Sequence, residues 1–258
     1  MTTALANSAQ ITNRYLRGFL RQPGYVVFTL VQPVIWLFLF GQLFRRIVEI
    51  PGFTTTSYIA FLTPGIVVMT ALSSTGWSGM SYVIDMERGV MNRFLVSPVR
   101  RSALIGGELV YQAGMTLLQS LIILGLGLLA GARFDGGILT IVAFLVGTML
   151  LGTTFASYSN ALALLLRTQN SVIGAVNFVV LPLTFLSSTL MPVNLMPQWM
   201  QEIVKYNPVN WAVEVGRQTL NSSPDWSLVA WRLAELLALT LVCAWLSTRA
   251  FRAYQRSV

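Results

Sequence analysis

The chain has 258 residues, of which 55% are hydrophobic and only 10% are charged, and its formal net charge is +8. This composition is too apolar for a water-soluble protein of this length, because the surplus of apolar side chains must face lipid. With no histidine and a single cysteine, the chain cannot hold a His-based catalytic triad, the usual zinc ligand sets or an intramolecular disulfide.

An amphipathic helix is predicted at residues 4–22. Its apolar residues share one helical face, Arg14 and Arg17 lie mostly on the other, and Pro23 and Gly24 break the helix before the first apolar segment. Such a helix lies in the plane of the membrane interface. Two interpretations stay open: an interfacial anchor, or a lever that couples a cytoplasmic partner to the first span.

Six apolar segments are long enough to cross a bilayer, whose core requires about 20 apolar residues per helix. They cover residues 25–44, 58–82, 103–130, 138–166, 172–190 and 231–250. Because short loops join them, we expect one membrane domain over residues 1–258 with no separate soluble domain. The predicted fold class is all-α: a polytopic membrane protein with six transmembrane helices, the N-terminal interface helix and a short outer re-entrant helix.

The basic residues predict the orientation. Eleven of the 17 Lys and Arg residues flank the spans on one side, whereas the six on the other side are matched by six acids. Since Lys and Arg near span ends stay in the cytoplasm, both termini are expected there, next to anionic lipid. The charge follows the loops rather than a soluble basic groove with stacking aromatics, which argues against nucleic-acid binding.

The longest cytoplasmic connection covers residues 83–102. Pro98 ends any helix within it, and its centre is apolar, with Phe94 and Leu95. The arginines that flank this centre are Arg88, Arg93, Arg100 and Arg101. A short apolar centre with basic flanks is typical of a segment that docks into a groove on another protein.

A re-entrant segment is predicted on the outer side at residues 191–210. Pro182 interrupts the fifth span before it, and paired prolines and tryptophans indicate the outer interface. We expect a short helix at about residues 197–206 that dips into the bilayer under a cover of protein, because uncovered irregular backbone is costly at that depth.

The spans are weakly polar rather than charged. Small hydroxyl residues and glycines occur at residues 70–79 and 152–160, where they predict either close helix packing or the lining of a path for an amphiphilic substrate. The acids nearest to the span centres are Glu108 and Glu235, and we expect snorkelling or pairing for both, with Arg232 three residues from Glu235 on one helix face. The absence of acids at the span centres argues against a proton-coupled carrier.

The chain lacks a phosphate-binding loop of its own. That motif requires a lysine followed by Ser or Thr, but the only lysine, Lys205, is followed by Tyr206. The chain by itself is therefore not expected to be an enzyme that hydrolyses ATP.

The loop and the outer segment together resemble the permease subunits of bacterial type-2 ABC exporters, including the daunorubicin-resistance permeases and the nodulation-factor and polysaccharide export permeases. In the loop the matching residues are Glu87, Arg88, Leu95, Ser97, Pro98 and Val99. In the outer segment they are Phe185, Ser187, Ser188, Pro192, Met196, Pro197, Trp199, Asn207 and Pro208. The chain departs from the family at Ser188, where glycine is frequent, and at Glu108, where a basic residue is common.

The resemblance implies a complex driven by a separate ATPase. Two copies of the permease, or this chain and a close paralogue, would pair through the first and fifth spans, and two ABC ATPase subunits would hold ATP and magnesium. This chain would bind no cofactor or metal. The residues that the resemblance assigns to ATPase coupling are Arg14, Arg17, Glu87, Arg88, Arg93, Phe94, Leu95, Ser97, Pro98, Arg100 and Arg101.

The resemblance also implies a path between the second and fifth spans, with an outer gate. The expected path residues are Met69, Ser73, Trp77, Asn177, Thr184 and Phe185. The expected gate residues are Pro192, Pro197, Trp199, Asn207 and Pro208. Export of a drug across a bacterial plasma membrane is favoured; export of a lipid or lipid-linked glycan is the alternative, and an intramembrane lipid-modifying enzyme is a remote one.

Overall fold

The computed structural model describes residues 23–49, 57–91 and 101–255. The predicted interface helix at residues 4–22 and residues 92–100 of the predicted coupling loop lie outside the described residues. Within the described ranges the secondary structure is helical, with turns and no strand. The all-α prediction is confirmed.

The helices are numbered here in chain order. They are α1 (Pro23–Ile35), α2 (Gly41–Leu43), α3 (Tyr58–Gly76), α4 (Met80–Glu87), α5 (Arg101–Leu129), α6 (Gly137–Leu166), α7 (Gln169–Phe185), α8 (Gln198–Val204), α9 (Pro208–Arg217) and α10 (Trp226–Gln255). A π-helical segment, Trp36–Phe40, joins α1 to α2, so the first apolar segment is helical from Pro23 to Leu43.

All six apolar segments predicted from the sequence are helical. By length and composition, Tyr58–Glu87, Gly106–Leu129, Gly137–Leu166 and Trp226–Tyr254 can each cross a membrane, while Thr29–Leu43 and Gln169–Phe185 are shorter apolar helices. The chain is therefore a multi-pass membrane protein. The fifth segment is shorter than the predicted residues 172–190, because α7 ends at Phe185, three residues after Pro182.

The centre of the bundle is α3. In its apolar stretch 78% of the residues are buried within the protein, against 17% for α10, which lies at the periphery and packs most extensively on α6. Helices α5, α6 and α9 surround α3. A Cβ atom on Gly216 of α9 would lie 2.6 Å from the ring of Phe144 and 2.8 Å from Pro64, so only glycine allows α9 to pack this closely.

Two contacts define one end of the bundle. The Nε2 of Gln169 donates to Oε2 of Glu87 at 2.8 Å, and the guanidinium of Arg167 lies 5.0 Å from the ring centroid of Tyr254. Since both connections of the sequence-predicted cytoplasmic side meet here, we refer to this end as the predicted cytoplasmic end and to the opposite one as the predicted outer end.

Helices α1 and α7 lie at the edge of the bundle and have few contacts with the rest of it. Large apolar side chains face outward there: Val31 and Ile35 on α1, Phe38 and Leu39 on the π-helical segment that follows it, and Phe178, Leu181 and Phe185 on α7. Phe178 is 80% exposed. Faces this apolar require either lipid or another protein chain against them.

The second apolar segment is broken at residues 77–79, between α3 and α4. The backbone hydrogen bonds there join residues three apart, from Ser78 to Thr75 and from Met80 to Trp77, both at 3.1 Å. Gly79 touches α6 at this point: its N–H donates to Oγ of Ser159 at 3.0 Å, and a Cβ atom would lie 2.3 Å from the carbonyl oxygen of Ser159. The break therefore packs directly against the backbone of α6.

Candidate functional site

A cavity lies between α1 and α3 and opens at their surface. The α3 residues that line it are spaced by three or four positions, so they share one helical face. They are Ile66, Met69, Thr70, Ser73 and Ser74, and Trp77, directly after the end of α3, continues the row. The α1 side contributes Thr29, Gln32, Pro33 and Trp36. Three residues predicted for the substrate path, Met69, Ser73 and Trp77, are thus brought together in one cavity.

The lining of this cavity is aromatic and polar, and none of the described residues that form it is charged. Trp36 and Trp77 contribute indole rings, and Gln32 contributes an amide. The hydroxyl of Thr70 donates to the carbonyl of Ile66 at 2.8 Å, which satisfies it within the helix. Ser73 is exposed. A surface of this kind suits the apolar body and neutral polar groups of an amphiphilic molecule.

The predicted path residues on α7 lie elsewhere. Thr184 and Phe185 line a second cavity at the predicted outer end, together with Pro197 and apolar residues of the outer segment, including Leu195, Met196 and Met200. Asn177 is half-buried on α7 and lines neither of these two cavities. Within this chain the six predicted residues therefore occupy separate places rather than one site.

The outer segment is folded back against the end of α7 by Asn207. Its Nδ2 donates to the carbonyl oxygens of Leu183 at 2.7 Å and Leu186 at 2.5 Å, and its Oδ1 accepts from the N–H of Val209 at 2.9 Å. Pro208 then begins α9 at a position where a missing N–H has no cost. One side chain thus caps α9 and satisfies the end of α7.

The other predicted gate residues differ in exposure. Pro192 is buried before a 3₁₀ turn, Val193–Leu195, whereas Pro197 is exposed at the start of α8. Trp199 is 61% exposed on α8, as expected for a side chain at a membrane interface. The predicted short helix at about residues 197–206 corresponds to α8, Gln198–Val204.

A polar network lies at the predicted outer end, and the sequence predicted only one pair of it. The predicted pair is confirmed, because Nη1 of Arg232 contacts Oε2 of Glu235 at 2.7 Å. Arg232 also reaches α9, where its Nε lies 2.6 Å from Oε2 of Glu214. Asn210 extends the network, since its Nδ2 donates to Oε1 of Glu214 at 2.8 Å and its Oδ1 accepts from Oγ of Ser188 at 2.5 Å.

Ser188, one of the two departures from the family pattern, is a centre of this network. Its N–H and its hydroxyl both donate to Oδ1 of Asn210, and its carbonyl oxygen accepts from Nη2 of Arg217. The guanidinium of Arg217 also lies 4.1 Å from the ring centroid of Phe61, a cation–π contact. The turn after α7 is thus joined to α3, α9 and α10 by side chains far apart in sequence.

The predicted coupling residues are described only in part. Glu87 accepts from Gln169 as given above, and Arg88 is exposed at the end of α4. For Arg101 the structure describes the backbone at the start of α5. The other members lie outside the described residues: Arg14, Arg17, Arg93, Phe94, Leu95, Ser97, Pro98 and Arg100.

The expectation that Glu108 snorkels or forms an ion pair is wrong for the part of the chain that the structure describes. Glu108 is 1% exposed and faces α6, where Nδ2 of Asn160 donates to its Oε2 at 2.6 Å. It lies too far inside the helix bundle to reach the interface. No group of three or more His, Cys, Asp or Glu that could hold a metal occurs among the described residues.

Comparisons with known proteins agree with this architecture. A sequence model described as ABC-2 type transporter matches residues 8–221. The chain is 30% identical over 233 residues to a protein of Porphyra purpurea named as the transport permease ycf38, covering 86% of this chain and 79% of that protein. It is 29% identical over 251 residues to the daunorubicin resistance ABC transporter permease protein DrrB1 of Streptomyces coeruleorubidus, covering 96% and 88%.

A third relative comes from Mycobacterium tuberculosis and is named as the doxorubicin resistance ABC transporter permease protein DrrC. It is 25% identical over 233 residues, which cover 90% of this chain and 83% of that protein. The family match spans most of the helical bundle, including the cavity between α1 and α3 and the outer segment. The chain therefore belongs to the ABC-2 type transporter family and is a type-2 ABC permease.

Proposed function

We propose that this chain is the transmembrane subunit of an ATP-driven exporter that moves a hydrophobic or amphiphilic drug out of the cytoplasm or the inner leaflet. The observation that carries the proposal is the cavity between α1 and α3, with its two indole rings, its neutral polar groups and no charged lining residue. The names of DrrB1 and DrrC, which refer to daunorubicin and doxorubicin resistance, support a drug as the substrate.

The energy would come from ABC ATPase subunits, two per complex, that bind ATP and magnesium. The sequence supports this division of labour, because its single lysine is not part of a phosphate-binding loop. The ATPases would dock at the predicted cytoplasmic end, on the N-terminal helix and the loop that connects α4 with α5. Their closure on ATP would displace the loop and, through it, the helices that form the cavity.

A second permease copy, or a close paralogue, would pair with this chain through α1 and α7. The exposed apolar faces there support that arrangement, with Ile35 on α1, Leu39 on the π-helical segment after it and Phe178 on α7 each more than half exposed. In such a dimer the cavity between α1 and α3 would lie near the dimer axis. The remaining apolar surface would face membrane lipid.

We place the protein in a bacterial plasma membrane with both termini in the cytoplasm. The positive-inside rule supports this orientation. Arg88 and Arg167 follow the C-terminal ends of α4 and α6, and Arg249 and Arg252 lie near the C-terminal end of α10. The outer segment would then act as a lid above the path, held by Asn207 and the network around Ser188.

Copurification tests the division between permease and ATPase. The chain is expressed in membranes with and without an ABC ATPase encoded beside it, solubilised, and assayed for ATP hydrolysis. We expect a stable complex with the ATPase and hydrolysis only in that complex. Hydrolysis by the permease alone, or failure to recover any complex, would contradict the proposal.

A lipid or lipid-linked glycan is the alternative substrate, because an acyl chain would also fit against Trp36, Trp77 and Met69. ATP-driven uptake of daunorubicin into inside-out vesicles separates the two. Uptake supports the drug, whereas ATP-dependent flipping of a fluorescent phospholipid without daunorubicin uptake would favour the lipid.

A further inference from the structure

Glu108 belongs to a buried group of polar side chains near the predicted cytoplasmic end. Its Oε2 accepts from Asn160, as described above, and Tyr82 of α4 hydrogen-bonds the same carboxylate. Asn160 is fully buried, and its Oδ1 accepts from Oγ of Ser78 at 3.0 Å. Ser78, Tyr82, Glu108 and Asn160 are called the Glu108 cluster below.

A carboxylate in this position is costly. A buried carboxylate is costly without a cation beside it, and the donors that face Glu108, namely Asn160, Tyr82 and Ser81, are neutral. None of the ion pairs within the described residues involves Glu108, and its Oε1 has no hydrogen-bond partner there. An apolar side chain would satisfy packing between α5 and α6 more cheaply. The polar residue therefore indicates a role beyond packing.

The position of the cluster suggests that role. Tyr82 lies on α4, which leads into the predicted coupling loop, and Glu108 lies on α5, which leads out of it. Asn160 joins both to α6. Ser78 lies in the break of the second span, directly after Trp77, and Trp77 lines the cavity. The cluster is thus a polar connection between the two arms of the loop and the wall of the cavity.

We propose that Glu108 is a positioning residue that transmits displacement of the coupling loop to the cavity wall, through its hydrogen bond to Asn160 and that of Asn160 to Ser78. The inference rests on the proposed function. With the hydrogen bonds intact, α4, the start of α5 and α6 move together, and the displacement reaches Trp77 and Ser73. Without these hydrogen bonds, the backbone bends at residues 77–79 and the displacement of the loop does not reach Trp77 and Ser73.

The test measures how accessible the cavity wall is to a thiol reagent, and it needs no substrate. Cys243 is the only cysteine, so Cys243→Ser with Ser73→Cys gives a single thiol in the cavity. The permease is assembled with its ATPase in membrane vesicles, and the rate of maleimide labelling is measured with and without ATP. In this background we expect ATP to change the rate by about fivefold or more, as typical couplings do.

Substitutions then probe the hydrogen bond. Glu108→Ala is expected to abolish the ATP-dependent change while ATP hydrolysis continues, because the loop moves without the wall. Asn160→Asp places two carboxylates together and is expected to do the same. The exchange Glu108→Gln with Asn160→Asp restores an amide and a carboxylate in reversed positions, so it should recover the change. Thr116→Val, also buried on α5, is the matched control and should keep it.

The outcomes are distinct. The proposal is overturned if Glu108→Ala keeps the full ATP-dependent change, or if the exchange fails to recover what Asn160→Asp loses although the complex assembles. Should Glu108→Ala not assemble, the comparison of Asn160→Asp with the exchange still decides. No ATP-dependent change in the Ser73→Cys background, with hydrolysis intact, would instead refute the proposed movement of the cavity, and the role of Glu108 with it.

Discussion

The side-chain amide of Asn207 donates a hydrogen bond of 2.7 Å to the carbonyl oxygen of Leu183 and so fastens the outer segment to the last turn of α7. Asn207 is 3% exposed, so no water replaces this donor. Because Asn207 is buried and its side chain joins the end of α7 to the start of α9, the arrangement of the outer segment depends on it.

Asn207→Ala should therefore destabilise the protein. It leaves two carbonyl oxygens and the N–H of Val209 without their partner, at a cost of about 2 to 4 kcal/mol. The measurement is the thermal unfolding midpoint in detergent. The control is Asn170→Ala, an exposed asparagine at the start of α7, which should change the midpoint little. Equal midpoints for Asn207→Ala and the unsubstituted chain would contradict the assigned role.

Gly79→Ala should push the break at residues 77–79 away from α6. The added Cβ would lie 2.3 Å from the carbonyl oxygen of Ser159, a backbone atom that cannot move aside cheaply. We expect a loss of about 2 kcal/mol or more in stability. Gly114→Ala, on an open face of α5, should stabilise the helix by up to about 1 kcal/mol. The thermal unfolding midpoints of both variants show whether each substitution lowers or raises the stability. A Gly79→Ala protein as stable as the unsubstituted chain would argue against this contact.

Arg232→Ala should disrupt the polar network at the predicted outer end. It leaves Glu214 and Glu235 without their cation in a partly buried site, which should cost about 2 kcal/mol or more. Lys205→Ala removes a pair with Glu202 that is mostly exposed, so its effect should be within about 0.5 kcal/mol. Protease resistance of the region between α7 and α10 provides the readout. Similar digestion rates for the two variants would be inconsistent with the network.

The double substitution Leu95→Asp with Pro98→Ala should uncouple the permease from its ATPase. A charge in the apolar centre of the loop should oppose docking, and the two changes lie outside the six apolar segments. We expect normal amounts of folded permease in the membrane, loss of copurification with the ATPase and loss of transport. Unchanged transport would rule out this loop as the coupling element.

Much of the fold could be predicted because its signals are local. Runs of apolar residues marked all six helices. The resemblance to type-2 permeases indicated Met69, Ser73 and Trp77 as path residues, and their spacing of four positions agrees with their presence in one cavity. The spacing of Arg232 and Glu235 likewise predicted their contact. In each case the residues lie on one element, and helix geometry alone relates them.

The remainder depends on how the helices pair. Trp36 and Gln32 join the cavity only because α1 lies against α3, and Asn210 meets Ser188 only because α9 folds under the turn after α7. For Glu108 the sequence indicated its depth but not the face on which it lies, so a snorkelling side chain was expected where a buried one is found. Residues 77–79 carried glycine and serine but no signal that distinguished a break from close packing.

In the proposed mechanism, ATP drives a drug through the cavity between α1 and α3. The most direct measurement is ATP-dependent uptake of daunorubicin into inside-out vesicles that contain the permease and its ATPase, comparing Trp77→Ala with Trp231→Ala, an exposed tryptophan on α10. We predict uptake that requires ATP, a loss of about tenfold with Trp77→Ala and little change with Trp231→Ala. Uptake that persists without ATP, or that is equal in the two variants, would contradict the account.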